Sequence, residues 1–226
     1  MKHILHRIAA AALLAGCAMT AHADNVTFTG YANGSQFIDF TIVSTPAPVH
    51  GQTNAGGFAT TLNGGPSFTS FCVDLYEHIG FGTPYSDYTA VPGTAHAWTN
   101  PTAEADLSRL FTAFGGVATS SSTNSAAFQT AVWEIAYETS GAYNLAAGNA
   151  KFTGDAGSLA QASIWLANLG TLDAVDLTVL ESLATRNGPG HQDVVFSTAV
   201  PEPGTYALMA AGLAAMGFVA RRRKPV

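Results

Sequence analysis

Cysteine is scarce in this chain, whose 226 residues include only two, Cys17 and Cys72. Two cysteines cannot form the disulfide framework typical of small secreted domains, and no C-x-x-C pair is present to hold zinc. The seven histidines include no HExxH spacing, and no G-x-S-x-G sequence occurs. We therefore expect no metal site, no cofactor and no catalytic residues. A protein without enzymatic turnover is favoured, and a secreted hydrolase is the least favoured alternative.

Basic residues are also rare in the long middle region from Asp24 to Val200. Its 14 acidic residues stand against three basic ones, Arg109, Lys151 and Arg186, so this region carries a net charge of −11. The value for the whole chain is only −6, because basic residues lie near both ends. Without a basic face to meet phosphates, the region is not expected to bind nucleic acid.

The first 23 residues have the three parts of a secretory signal peptide. Lys2 and Arg7 precede an apolar run from Ile8 to Gly16, and Ala21-His22-Ala23 is a small-x-small cleavage signal. The apolar run is shorter than the roughly 20 residues that a membrane-spanning helix needs. We therefore expect export across the inner membrane and cleavage after residue 23.

A second interpretation of the same segment concerns Cys17. Leu14-Ala15-Gly16-Cys17 resembles a bacterial lipobox, which implies lipidation of Cys17 at the mature N-terminus. Under either interpretation Cys17 cannot pair with Cys72. Cys72 is therefore an unpaired cysteine in an exported protein, a context in which thiols normally form disulfides.

The other end of the chain predicts a single transmembrane helix. Residues Gly204 to Ala220 are uncharged and mostly apolar, and as a helix they would be about 26 Å long at roughly 1.5 Å per residue. A basic cluster follows at Arg221, Arg222, Arg223 and Lys224. The positive-inside rule places this cluster in the cytoplasm. The predicted organisation is a signal peptide (1–23), a secreted domain (24–200) and a C-terminal sorting segment (201–226).

This C-terminal segment resembles a PEP-CTERM sorting signal. It has Pro201-Glu202-Pro203, then the apolar span, then the arginine cluster of Arg221, Arg222 and Arg223, in the order typical of that signal. The resemblance implies processing by an exosortase, after transient anchoring in the inner membrane. It also implies a Gram-negative bacterium that makes exopolysaccharide or biofilm matrix. The expected destination is the cell surface or the extracellular matrix.

The middle region predicts an α+β fold, a β-sheet or sandwich with a helical insertion. Residues 26–89 show strand-like alternation, with turn-rich stretches at 45–57 and 63–66. Three helices are predicted at 101–114, 125–138 and 158–169, the first ended by Gly115-Gly116. Alternation returns at residues 175–179 and 194–197.

Two motifs in this region are candidates for chemistry. In a strand, Phe71, Val73 and Leu75 would form the core face, so Cys72 would point away from the main apolar side. In the second predicted helix, Gln129 lies at the edge of an apolar stripe. The helical pattern leaves Glu134 and Glu138 for solvent.

Together, these motifs resemble the thioester domains of bacterial surface adhesins. The matching residues are Phe71 and Cys72 in the strand motif "FCVDL" and Gln129, Ala131, Val132 and Trp133 in the helix motif "FQTAVWEI". Phe128 departs from the family, which usually has threonine before the glutamine. The resemblance implies that the Cys72 sulfur condenses with the Gln129 side chain and releases ammonia.

A thioester is an activated acyl group, so an amine or hydroxyl on a target could displace the sulfur and leave the protein covalently attached. The expected targets are extracellular polysaccharide or a surface protein. Two readings of Cys72 remain open beside this one, an inert thiol and an intermolecular disulfide. The alternative function is that of a noncovalent structural or carbohydrate-binding component of the matrix.

Overall fold

The computed structural model describes residues 23–171, 175–182 and 190–197. The predicted signal sequence up to residue 22 and the predicted sorting segment (201–226) lie outside the described residues. Among the residues that are described, none of the helices combines the length and the apolar character needed to cross a membrane.

Nine strands and three α-helices make up the described part of the chain. The strands are β1 (Asp24–Tyr31), β2 (Gln36–Ile42), β3 (Val49–Ala55), β4 (Phe58–Leu62), β5 (Ser67–Cys72), β6 (Pro84–Pro92), β7 (Ala150–Gly154), β8 (Leu177–Ser182) and β9 (Val194–Ser197). The helices are α1 (Ala103–Ala118), α2 (Ser122–Tyr137) and α3 (Ala156–Ala167), and a short 3₁₀ turn spans Gly93–Ala95.

Six strands close into an antiparallel barrel in the order β1-β4-β5-β9-β8-β6. The barrel closes because β6 pairs with β1 on one side and with β8 on the other. Strands and helices are combined as predicted, with the helices between β6 and β8. A barrel nevertheless replaces the predicted sheet or sandwich. Its closure depends on pairing between segments about 90 residues apart, which local patterns do not encode.

A separate three-stranded sheet has the order β3-β2-β7. As the alternation in β2 predicts, Ile38, Phe40 and Ile42 are buried while Phe37 is exposed. The prediction of turns alone over residues 45–57 is wrong, because β3 lies there and pairs with β2 along its full length. Its mostly polar sequence fits its position at the sheet edge, where one side of the strand faces solvent.

Helix α2 is buried from Ser125 to Tyr137. It packs between α1 and α3 and also contacts β2, β3, β5 and β7. The prediction that Glu134 and Glu138 face solvent is therefore wrong: their exposed fractions are 0% and 3%. A helix enclosed on all sides has no solvent face to which its charged residues could be assigned.

The predicted helix boundaries need small corrections. Helix α1 does not end at Gly115-Gly116 but continues to Ala118. Helix α2 begins after Ser121, whose hydroxyl accepts a hydrogen bond from the Asn124 N–H at 3.1 Å. Helix α3 begins after Asp155, whose carboxylate accepts from the Ser158 N–H at 2.8 Å.

Strand β5 ends at Cys72, so Val73 and Leu75, which were predicted to continue this strand, lie beyond its end. The prediction that Cys72 points away from the main apolar side is also wrong. Its exposed fraction is 1%, as low as those of Phe71, Val73 and Leu75. The reason is tertiary: α2 packs against β5 and covers the end of this strand.

Candidate functional site

The fold brings the two candidate thioester residues together. Cys72 is the last residue of β5, and Gln129 lies in the middle of α2. The Gln129 Oε1 accepts a hydrogen bond from the Cys72 backbone N–H at 2.8 Å. The Gln129 Nε2 donates to the Cys72 carbonyl oxygen at 2.7 Å. Two bonds to one residue fix both the position and the orientation of the carboxamide.

The start of β4 explains why a side chain is needed beside Cys72. Strand β4 begins at Phe58, which pairs with Ser70, so the described pairing of these strands stops before Cys72. On the other side, β9 pairs with β5 up to Cys72, and the Val73 N–H donates to the Asp193 carbonyl. The backbone groups of Cys72 would be buried without partners on the β4 side, and Gln129 satisfies both.

The Cys72 sulfur is held in a tight backbone turn. The Asp74 N–H donates to Sγ at 3.2 Å, and the thiol donates to the Asp74 carbonyl at 2.7 Å. Burial raises the pKa of the Cys72 thiol well above its ordinary value, because a charged sulfur would lose its hydration. The Trp133 indole opposes this shift, whereas the Asp74 and Asp193 carboxylates add to it. At neutral pH the group is therefore a protonated thiol.

Trp133 has a buried indole N–H group that acts on the Cys72 thiol. It lies one helical turn after Gln129, is 2% exposed, and stacks on Phe152 with an interplanar angle of 14°. Its Nε1 is buried and forms no well-aligned hydrogen bond within the described residues. It is nevertheless the side chain that favours the thiolate form of Cys72. An indole N–H directed towards the sulfur without ideal alignment accounts for both observations.

The other motif residues belong to the apolar core of the domain. Phe71, Phe128, Ala131 and Val132 are all buried. The rings of Phe71 and Phe128 are 4.5 Å apart between centroids, and both pack against Phe111. Phe128, the residue that departs from the family pattern, thus contributes packing at the position before Gln129.

A cavity of about 180 Å³ is lined by chain neighbours of Cys72, although neither Cys72 nor Gln129 is among its lining residues. Its lining includes Val73 and Asp74, which directly follow Cys72, and Ala136 and Tyr137 of α2. The segment from residue 96 to residue 99 also lines the cavity. Among the described residues, no lysine or arginine lines this cavity. Its acidic lining residues are Asp74 and Asp193.

Several polar residues that support the site were missed in the sequence. The Tyr137 hydroxyl accepts from the Leu75 N–H at 3.0 Å, and Gln192 Nε2 donates to the Asp74 carbonyl at 2.8 Å. Burial raises the pKa of Asp193, next to Cys72 in space, to about 7. These contacts join residues 62 to 118 positions apart. Of these residues, only Tyr137 could have been found from the sequence, because apolar residues precede it in its helix.

The sorting residues predicted from the sequence, Pro201, Glu202, Pro203 and Arg221 to Arg223, lie outside the described residues. Within the described residues, no group of three or more histidine, cysteine, aspartate or glutamate side chains could hold a metal ion.

Comparisons with known proteins give three results. A solved structure of the N-terminal thioester domain of a protein F2 like fibronectin-binding protein from Streptococcus pneumoniae is similar over 78% of this chain and 94% of that chain, with 12% sequence identity and a TM-score of 0.39. No curated protein sequence matches the chain. The family model for the PEP-CTERM protein-sorting motif matches residues 199–224. The resemblance of this segment to a PEP-CTERM signal is thereby confirmed, and the chain carries a PEP-CTERM protein-sorting motif at these residues.

Proposed function

We propose that this protein, which carries an exosortase sorting motif, attaches covalently to an extracellular target through a thioester between Cys72 and Gln129. The observation that carries the proposal is the pair of hydrogen bonds that hold the Gln129 carboxamide against Cys72. These bonds also satisfy buried backbone groups of Cys72, so the mass measurement described below is what separates a thioester from an inert thiol. An intermolecular disulfide requires an accessible sulfur, whereas Cys72 is 1% exposed.

The contacts suit the condensation step. The Cys72 sulfur attacks the Gln129 Cδ, the Cδ–Nε2 bond breaks, and ammonia leaves with the thiol proton. Negative charge develops on Oε1 during this step, and the Cys72 N–H already donates to that atom at 2.8 Å. A hydrogen-bond donor fixed in place before the reaction stabilises the developing charge without reorganisation.

The burial of the site suits a bond that must wait for its target. Cys72 and Gln129 are each 1% exposed, so water reaches the acyl carbon rarely. An amine or hydroxyl that enters would attack the Gln129 carbonyl and displace the Cys72 sulfur. Each molecule reacts once, so the protein is an attachment device and not an enzyme.

The PEP-CTERM motif implies export and processing by an exosortase at the membrane. We propose the cell surface or polysaccharide matrix of a Gram-negative bacterium as the site of action.

The first test is the intact mass of the purified protein. With the thioester present, the mass is expected to be about 17 Da below the value for an unmodified chain, because ammonia is lost. Methylamine is expected to raise it by roughly 31 Da. Cys72→Ala serves as the control and should show neither change. An unmodified mass together with a thiol that is alkylated after unfolding would contradict the proposal and favour the noncovalent matrix component.

Trp133→Phe is expected to slow the reaction with methylamine by roughly 10- to 100-fold. The substitution keeps a ring that can stack on Phe152 but removes the N–H that favours the departing thiolate, and a hydrogen bond to a charged group contributes about 1.5–3 kcal/mol. The rate is measured by intact mass over time.

Trp165→Phe is the matched control for this prediction. Trp165 is another buried tryptophan, 4% exposed, which stacks on Phe114 and packs edge-on against Phe128 but is not among the groups that act on the Cys72 thiol. Its replacement is expected to leave the methylamine rate within a few-fold of the wild type. Equal rates for Trp133→Phe and the wild type would show that the indole N–H does not act on the sulfur.

A further inference from the structure

The cavity lined by Val73 and Asp74 is also lined by a histidine that pairs with a carboxylate, and the thioester chemistry described above does not use this pair. His96 lines the cavity, and its Nδ1 lies 2.6 Å from the Glu181 Oε1 on β8. The His96 and Glu181 side chains are 14% and 22% exposed. This pair joins residues 85 positions apart, so the barrel, and not the local sequence, creates it.

The pairing determines which nitrogen of His96 is free. A carboxylate only accepts hydrogen bonds, so Nδ1 donates its hydrogen to Glu181 and the lone pair is left on Nε2. The ring is held in place by Trp98, which packs edge-on at 4.4 Å between centroids. Trp98 is itself fixed by a hydrogen bond from its Nε1 to the Gly93 carbonyl at 2.8 Å. An imidazole oriented by a carboxylate in this way has the arrangement of a general base.

His96 shares its cavity with residues that hold the thioester cysteine. The lining includes Val73 and Asp74, and the Asp74 backbone contacts the Cys72 sulfur through both its N–H and its carbonyl. Ala136 and Tyr137 of α2, the helix that carries Gln129, also line this cavity. A nucleophile that enters through this cavity would therefore meet His96 in the same space as the segment that holds the sulfur.

On the basis of the proposed thioester, we propose that His96, oriented by Glu181, is a general base that directs the acyl group to hydroxyl groups. A hydroxyl is almost fully protonated at neutral pH and needs a base as it attacks. A primary amine has a fraction of free base with its own lone pair and reacts without that help. The substrate class is therefore an alcohol, such as a sugar hydroxyl of a polysaccharide.

The proposed step is balanced in atoms and charge. His96 Nε2 takes the proton from the incoming hydroxyl while its oxygen attacks the Gln129 Cδ. The bond between Cδ and the Cys72 Sγ then breaks, and the sulfur leaves with the electron pair. The proton returns from the imidazolium to the sulfur. The products are an ester between Gln129 and the alcohol and a free Cys72 thiol.

The test compares glycerol with methylamine as the nucleophile, using the full protein with its thioester. Intact mass measures the rate at which each adduct forms. His96→Gln is expected to slow the glycerol reaction by roughly 10²- to 10⁴-fold, the usual contribution of a general base, while the methylamine rate stays within about three-fold. Glu181→Gln, which no longer fixes the tautomer, is expected to slow the glycerol reaction about ten-fold.

His191→Gln is the matched control. His191 also pairs with a carboxylate, its Nδ1 lying 2.7 Å from the Asp87 Oδ2, but it does not line this cavity. Its replacement should leave both rates unchanged. The mass deficit of about 17 Da is checked in every variant, and if His96→Gln does not form the thioester, Glu181→Gln provides the comparison.

The outcomes separate this proposal from the one on which it rests. A wild-type protein without the mass deficit would overturn the thioester, and the role of His96 with it. A wild-type protein that has the thioester, with His96→Gln or Glu181→Gln reacting with glycerol as fast as the wild type, would overturn the role of His96 alone. Equal slowing with glycerol and methylamine would also overturn it, because it would show a structural effect without selectivity for hydroxyls.

Discussion

Cys72→Ser is expected to abolish all covalent capture of methylamine while leaving the fold intact. The serine hydroxyl can accept from the Asp74 N–H and donate to the Asp74 carbonyl, as the thiol does. The Gln129 carboxamide keeps its two bonds to the backbone of residue 72, which the substitution does not alter. A hydroxyl is a far weaker nucleophile than a thiol towards a carboxamide. The expected mass is therefore that of an unmodified chain, with or without methylamine.

Gln129→Ala gives the complementary result. It also abolishes capture, but it leaves the Cys72 N–H and carbonyl buried without their partners, at a cost of about 1–3 kcal/mol for each group. Urea unfolding should therefore show Gln129→Ala to be clearly less stable than Cys72→Ser. Capture of methylamine by either variant would mean that the acyl group lies elsewhere in the chain.

The second large effect is a pH-dependent stability that originates at Glu134. This side chain is 0% exposed, and burial raises its pKa from 4.5 to about 8, opposed by the Asn144 N–H and reinforced by nearby Glu138. Its Oε1 accepts from the Asn144 N–H at 2.6 Å, whereas Oε2 has no hydrogen-bond partner in the described part of the chain. The carboxyl is therefore neutral in the folded protein at pH 7.

The sign of the effect follows from proton binding. Between pH 4.5 and pH 8 the folded protein retains a proton on Glu134 that the unfolded chain releases, so the free energy of unfolding falls as the pH rises. Glu134→Gln removes this titration. Relative to the wild type, the variant should gain about 3–5 kcal/mol between pH 4 and pH 9. The measurement is the urea unfolding midpoint at several pH values.

The comparison must use the difference between the two proteins, because burial also raises the pKa of Asp193 and Glu77, and both remain in the variant. Val132→Ala is the control, since it removes buried methyl groups from the same helix without changing a titratable group. Its loss of stability should be the same at every pH. Parallel curves for Glu134→Gln and the wild type would show that Glu134 is ionised in the folded protein.

The periodicity of apolar residues predicted many of the strands and helices, because it reflects which face of each element is buried. The alternation of Ile38, Phe40 and Ile42 reports a strand with one buried face, and the structure buries all three. The sequence patterns gave wrong predictions for residues that are buried or paired by elements distant from them in the sequence. Strand β3 is polar and became a strand only through its pairing with β2. Glu134 and Glu138 were assigned to solvent because charged residues normally face water, and the packing around α2 reverses this.

The residues of the candidate site also fall into two groups, those that sequence motifs indicate and those that only the structure brings together. Cys72, Gln129 and Trp133 are visible in the sequence because two short motifs carry them. His96 and Glu181 belong to no motif, and the closure of the barrel brings them together. Nothing in the sequence around Gln192 or Asp193 indicates their place beside the thiol either.

The sequence by itself determined the sorting motif at residues 199–224, the acidic character of the region before it and the identity of the unpaired cysteine. A short linear motif and a net charge can be identified from the sequence without knowledge of the fold. Only the tertiary structure decided that the Gln129 carboxamide lies against Cys72 and that the site is closed to solvent. The physical reason is that β4 begins too late to pair with the end of β5, so a side chain from α2 supplies the missing hydrogen bonds.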